Sequence, residues 1–98
     1  MFVQAKVWVL KVMCWGDNEF EAYVHGTEND LKDNLSGHIS SGYEQIQNFD
    51  PDFSIPECDC VFDWLAYYQH DQMYFPDAPQ LEWHIETVKV WVQQEKAA

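Results

Sequence analysis

The spacing of apolar positions changes along the chain, and each change marks an element. Residues 2–14, "FVQAKVWVLKVMC", are β-branched and apolar with little polar alternation, which predicts a mostly buried strand. Residues 19–26, "EFEAYVHG", alternate strictly, with Phe20, Ala22 and Val24 on one face and Glu19, Glu21, Tyr23 and His25 on the other. Gly16-Asp17-Asn18 between them is turn chemistry, so the two runs predict a hairpin.

From Thr27 the period lengthens. Thr27 and Asp30 form a capping-box-like start, Glu28 and Asp30 suit the positive end of a helix dipole, and Leu31, Leu35 and Ile39 make one apolar stripe. Gly37 and Gly42 each weaken a helix by about 1 kcal/mol relative to Ala, so the expectation is a helix with a loose second half reaching toward Gln47.

"NFDPDFSIPE" reads as loop. Ser54 and Glu57, with Pro56 between them, form a second capping signature. The helix it predicts runs to about His70, with Cys58, Phe62 and Leu65 along one side and Val61 and Tyr68 beside them. "DQMYFPDAPQ" returns the chain, and residues 81–93, "LEWHIETVKVWVQ", form a last strand in which Leu81, Trp83 and Ile85 alternate with Glu82, His84 and Glu86. The order β-β-α-α-β predicts an α+β fold: one compact domain, 1–98, with a three-stranded antiparallel sheet and two helices packed on one face.

Composition sharpens this picture at one point, the charge. Five lysines, no arginine and seventeen acids give a net charge of −12. Such a surplus can signal disorder, but five Trp, five Tyr and six Phe supply a core that disordered chains lack. No base lies between Lys32 and Lys89, whereas Asp33, Glu44, Asp50, Asp52, Glu57, Asp59, Asp63, Asp71, Asp77, Glu82 and Glu86 all do. That field repels nucleic acid and anionic membrane and attracts basic surfaces, so direct nucleic-acid binding and membrane association are not expected. No apolar run is long enough to cross a bilayer, no leader pattern opens the chain, and three cysteines do not pair off. A reducing, cytoplasmic setting is the expectation.

The densest stretch, "PDFSIPECDCVFDW" at 51–64, sets Asp52, Glu57, Asp59 and Asp63 around Cys58 and Cys60. Cys-x-Cys lacks the spacing of zinc knuckles and redox motifs, and with both cysteines in a helix their side chains would diverge. A cofactor is not expected. Glu82, His84 and Glu86 share a strand face and form the one candidate acid/base or metal cluster, yet no cation stands ready to support hydrolytic chemistry there, and no catalytic fingerprint occurs. Tyr43, Phe53, Tyr67, Tyr68, Tyr74 and Phe75 interleave with the acids and would anchor an interface if exposed; otherwise they fill the core.

In being short, strongly acidic, compact and free of enzyme signatures, the chain resembles the small inhibitors carried by phages and mobile elements, such as anti-CRISPR and anti-restriction proteins. The resemblance is one of compositional type. It implies a non-enzymatic inhibitor that presents carboxylates, where phosphates would lie, to the basic surface of a nucleic-acid-binding host or defence protein. The candidate partner-binding residues are Glu44, Asp50, Asp52, Phe53, Glu57, Asp59, Asp63, Tyr67, Asp71, Tyr74 and Asp77. Two other readings stay open: a small metal-dependent enzyme or metal-binding protein using His84, Glu82 and Glu86, and a structural subunit with a basic partner.

Overall fold

The computed structural model describes residues 1–14 and 16–91. β1 (Phe2–Met13) and β2 (Glu21–His25) are followed by α1 (Glu28–Phe49), α2 (Val61–Gln72) and β3 (Gln80–Trp91). This is the α+β order expected from the sequence, with the sheet antiparallel throughout in the order β2-β1-β3. The part of the last strand expected at 92 and 93 lies outside the described residues. At the hairpin end Gly16 takes φ of 86°, a conformation other residues adopt at a cost, and Asp17 N–H donates to the Cys14 carbonyl (3.0 Å).

β1 holds the sheet together, and only part of it is covered. Trp8, Leu10 and Val12 point toward the helices, Leu10 and Val12 into a core shared with Leu31, Leu35, Ile39, Tyr43, Ile46, Leu65, Tyr68 and Leu81. β2 pairs only with Trp8–Val12, whereas β3 pairs with β1 from Phe2 to Met13. Residues 2–7 and 86–91 therefore form a two-stranded arm beyond the helices. The molecule measures 65 × 32 × 17 Å with a radius of gyration of 17.2 Å, against roughly 13 Å for a globule of this length. The arm draws the molecule out.

α1 is one unbroken helix of 22 residues, not a helix with a loose second half. Thr27 caps it as expected, its Oγ1 accepting from Asp30 N–H (3.2 Å). Gly42 does not weaken the second half because it is where α2 crosses. The Tyr68 ring lies directly on the Gly42 backbone, and burial of Ile39, Tyr43 and Ile46 outweighs the glycine's propensity cost.

α2 begins at Val61, not at the Ser54–Glu57 signature, and ends at Gln72 instead of His70. Its N-cap, Cys60, makes no side-chain capping bond. Residues 53–60 serve instead as a non-helical strap. Phe53 and Ile55 pack against the core, and Trp64 Nε1 donates back to the Pro56 carbonyl (2.9 Å), holding the strap across the helix start. Cys58 and Cys60 precede the helix, so the expected divergence of their side chains around a helix does not apply.

In β2 the parity is as expected, but the face turned to the helices is the polar one. Asn34 Nδ2 donates to His25 Nε2 (2.8 Å) and the Tyr23 ring meets His38 at 5.3 Å, which directs Ala22 and Val24 to the opposite side of the sheet.

A Cβ on Gly42 would stand 2.6 Å from Tyr68 Cε2, inside any contact real side chains make, while one on Gly37 would meet nothing. Gly42→Ala is therefore expected to lower the unfolding free energy by about 1–3 kcal/mol, and Gly37→Ala to raise it by about 0.5–1 kcal/mol. Urea denaturation of the two variants measures both; equal effects would remove the close approach from the account.

Candidate functional site

The acidic face is built on α2 and the strap before it. Asp63, Tyr67 and His70 follow at helical spacing along the side of α2 turned away from Leu65 and Tyr68, which are buried. Together with Cys58 and Ala66 they line a shallow open groove, and a neighbouring groove formed by Ile55, Pro56, Glu57, Cys58 and Trp64 continues it. Asp59 lies between Cys58 and the helix start. Asp52, Glu57, Asp59 and Asp63 are all exposed, and among the described residues none of the four is in an ion pair.

The local sequence explains why the acids collect here. Asp63 sits in the first turn of α2, at the positive end of its dipole, where an acid helps the helix start because Cys60 supplies no cap, and Glu57 and Asp59 precede it in the strap. At the other end Tyr74 is 72% exposed and its ring lies 5.6 Å from that of His70, so two exposed tyrosines, 67 and 74, lie on either side of the histidine along the chain.

The other candidate residues are placed differently. Glu44 is exposed on α1. Asp50 is half-buried at the α1 C-terminus, where its Oδ1 accepts from Asp52 N–H (3.2 Å). Asp77 is half-buried in the loop before β3. Asp71 accepts a hydrogen bond from Tyr43 Oη (2.8 Å) and lies 3.6 Å from His70 Nδ1, so it is engaged within the fold. Burial first, then the bond to Asp71, holds the Tyr43 hydroxyl far above the usual tyrosine range, so it remains a donor at any ordinary pH. Phe53 is part of the core, stacked on Tyr43 at 5.9 Å and edge-on to Phe75 at 5.6 Å. Of the six interleaved aromatics, Tyr43 and Tyr68 are buried, Phe53 and Phe75 half-buried, and only Tyr67 and Tyr74 are available to a partner.

Two residues absent from the expected set join this surface or follow it in the chain: His70, which lines the groove, and Met73 at 77% exposure. The spacing of Asp63, Tyr67 and His70 carries the signal for the first. Met73 follows α2 as its C-cap, and nothing in its local pattern distinguishes it from a core methionine.

Glu82, His84 and Glu86 do share one sheet face, on the side away from the helices. His84 Nε2 and Glu86 Oε1 are 2.6 Å apart, but Glu82 is directed to Lys11 Nζ at 4.0 Å. Among the described residues no three His, Cys, Asp or Glu side chains stand close enough to hold one ion. Cys58 and His70 line the same groove. No helix of the described residues is long and apolar enough to cross a membrane.

No protein-family model matches the chain, nor does any curated protein or solved structure.

Neutralising the four exposed acids together (Asp52→Asn, Glu57→Gln, Asp59→Asn, Asp63→Asn) is expected to leave the fold intact. Relief of self-repulsion offsets the lost dipole interaction, so the thermal midpoint should be unchanged or higher at low salt. Any gain should fade as screening shortens toward about 3 Å in 1 M salt. Circular dichroism melts at two salt concentrations check this; a large loss of stability would make these acids structural.

Proposed function

We propose that the protein is a non-enzymatic inhibitor that docks on a basic, nucleic-acid-binding surface of a host or defence protein, using carboxylates as phosphate surrogates. The observation that carries this reading is the set Asp52, Glu57, Asp59 and Asp63, exposed and without ion pairs among the described residues, with Asp63 lining one groove with the exposed Tyr67. Carboxylates without local countercharge raise the concentration of a basic partner at the surface and speed its approach. Exposed tyrosines supply the apolar area that charge alone lacks, at small entropic cost.

The compositional resemblance to anti-CRISPR and anti-restriction inhibitors agrees with this reading and suggests a phage or mobile element as its source. A cytoplasmic location follows from the same proposal, since the defence proteins such inhibitors meet act on nucleic acid inside the cell. Glu44 and Asp77 extend the field; Asp50, Asp71 and Phe53 contribute through the fold that displays it. The metal-centred alternative is weaker because Glu82 faces Lys11.

The test uses the intact protein, immobilised, with a host lysate passed over it. Proteins retained by the wild type are expected to be released by a 30-base-pair DNA duplex and by salt, because both compete for or screen the same charges. The four-fold neutralised variant should associate with them at least about tenfold more slowly, while Cys58→Ser and Cys60→Ser bind as the wild type does. Retention that resists duplex and salt, or that depends on the cysteines instead of the acids, would overturn the proposal.

A further inference from the structure

Four lysines lie among the described residues, and acids engage two of them: Lys11 stands 4.0 Å from Glu82, and Lys32 stands 3.9 Å from Glu28. Lys6 and Lys89 have no ion pair among the described residues, although the chain holds seventeen acids. Both belong to the arm, and both lie on one face of it. The two-residue period of β1 puts Phe2, Gln4 and Lys6 on the side of Trp8, Leu10 and Val12. The register sets Trp91, Lys89 and Thr87 directly opposite them. Phe2 is 65% exposed and Trp91 63%, with their rings 4.9 Å apart and edge to face. Ile85, exposed beside the half-buried Trp8, carries the apolar floor back to the helices.

We infer that this face of the arm binds single-stranded nucleic acid without sequence preference, with bases stacked on Trp91 and Phe2 and the neighbouring phosphates held by Lys6 and Lys89. Rings set among cations are what such binding needs, since every base has a π-face and every link carries a negative charge. The net charge of −12 argues against nucleic acid for the molecule as a whole, but the acids are segregated from the arm. Residues 1–16 contain none, nor do 87–91. Glu86, at the root of the arm, lies on the opposite face and is held by His84 (2.6 Å). β1 from Phe2 to Trp8 spans about 20 Å, more than two Debye lengths at physiological salt, so the field of the helical layer is largely screened at the tip.

Size selects a single strand over other anions. The face is about 20 Å long and two strands wide, roughly 200 Å², far short of the ~800 Å² that each partner gives a standard protein interface. Two rings and two ammonium groups suffice for two bases and the phosphates beside them. A duplex keeps its bases stacked on one another and has none to offer the rings. A duplex and a bilayer are also both broad enough to bring their anions against the acidic body, where a short single strand stays on the arm. The surface is separate from the acidic face of α2 and works without the docking proposed there.

Fluorescence anisotropy of a labelled oligothymidylate of about 10 bases, titrated with the full chain at about 150 mM salt, is expected to saturate with a Kd below roughly 100 μM. Lys6→Gln with Lys89→Gln should weaken binding at least about fivefold. Lys11→Gln with Lys32→Gln removes the same charge from elsewhere on the molecule and should change it less than about twofold. Phe2→Leu with Trp91→Leu keeps an apolar cross-strand contact but removes the stacking faces, and should weaken binding about tenfold. A wild type that gives no saturation, equal losses from the two lysine pairs, or a leucine variant that binds as the wild type does would overturn the inference. Equal affinity for a duplex of the same length, an oligoglutamate or phosphatidylserine vesicles would overturn it too.

Discussion

The arrangement depends on one crossing, where the ring of Tyr68 rests on the backbone of Gly42. The close approach lets α1 and α2 share a layer, and it is tied down from both sides. Tyr68 Oη donates to the Pro79 carbonyl, and its ring stands edge-on to Tyr43 at 5.2 Å. Tyr43 in turn donates to Asp71 near the end of α2. Two hydroxyls buried with their rings would be costly without acceptors, so these bonds select one rotation of α2 and one path for the loop into β3. Gln69 and Gln72 reinforce that path by donating to the carbonyls of Leu81 and Ala78. With Leu65 and Tyr68 turned inward, Asp63, Tyr67 and His70 have only the outside to occupy. The acidic face is thus a consequence of core packing, and no charge–charge contact is needed to position it.

Element identity was legible in the sequence because period and core agree. Leu31, Leu35 and Ile39 form the stripe that α1 buries, and Leu81 and Trp83 form the strand face that meets α2, with Trp83 stacked on Phe62 at 4.7 Å. Boundaries were less legible where tertiary contacts override local chemistry. Ser54, Pro56 and Glu57 carry a helix-start signature, but Phe53 and Ile55 gain more by packing on the core and Trp64 pins the Pro56 carbonyl. Gly42 reads locally as a weakness, and its role depends on a tyrosine 26 positions later in the chain.

The candidate site was legible in its charge and obscure in its aromatics. Acids without a base nearby favour water because burial would leave them unpaired, and Asp52, Glu57, Asp59 and Asp63 are all exposed, but composition alone does not separate them from Asp50, Asp71 and Asp77, which are half-buried. Nothing comparable constrains a tyrosine. Tyr67 and Tyr68 are neighbours with similar surroundings in sequence, and helical geometry sends one outward at 55% exposure and the other fully inward. Only the rotation of α2 decides between them.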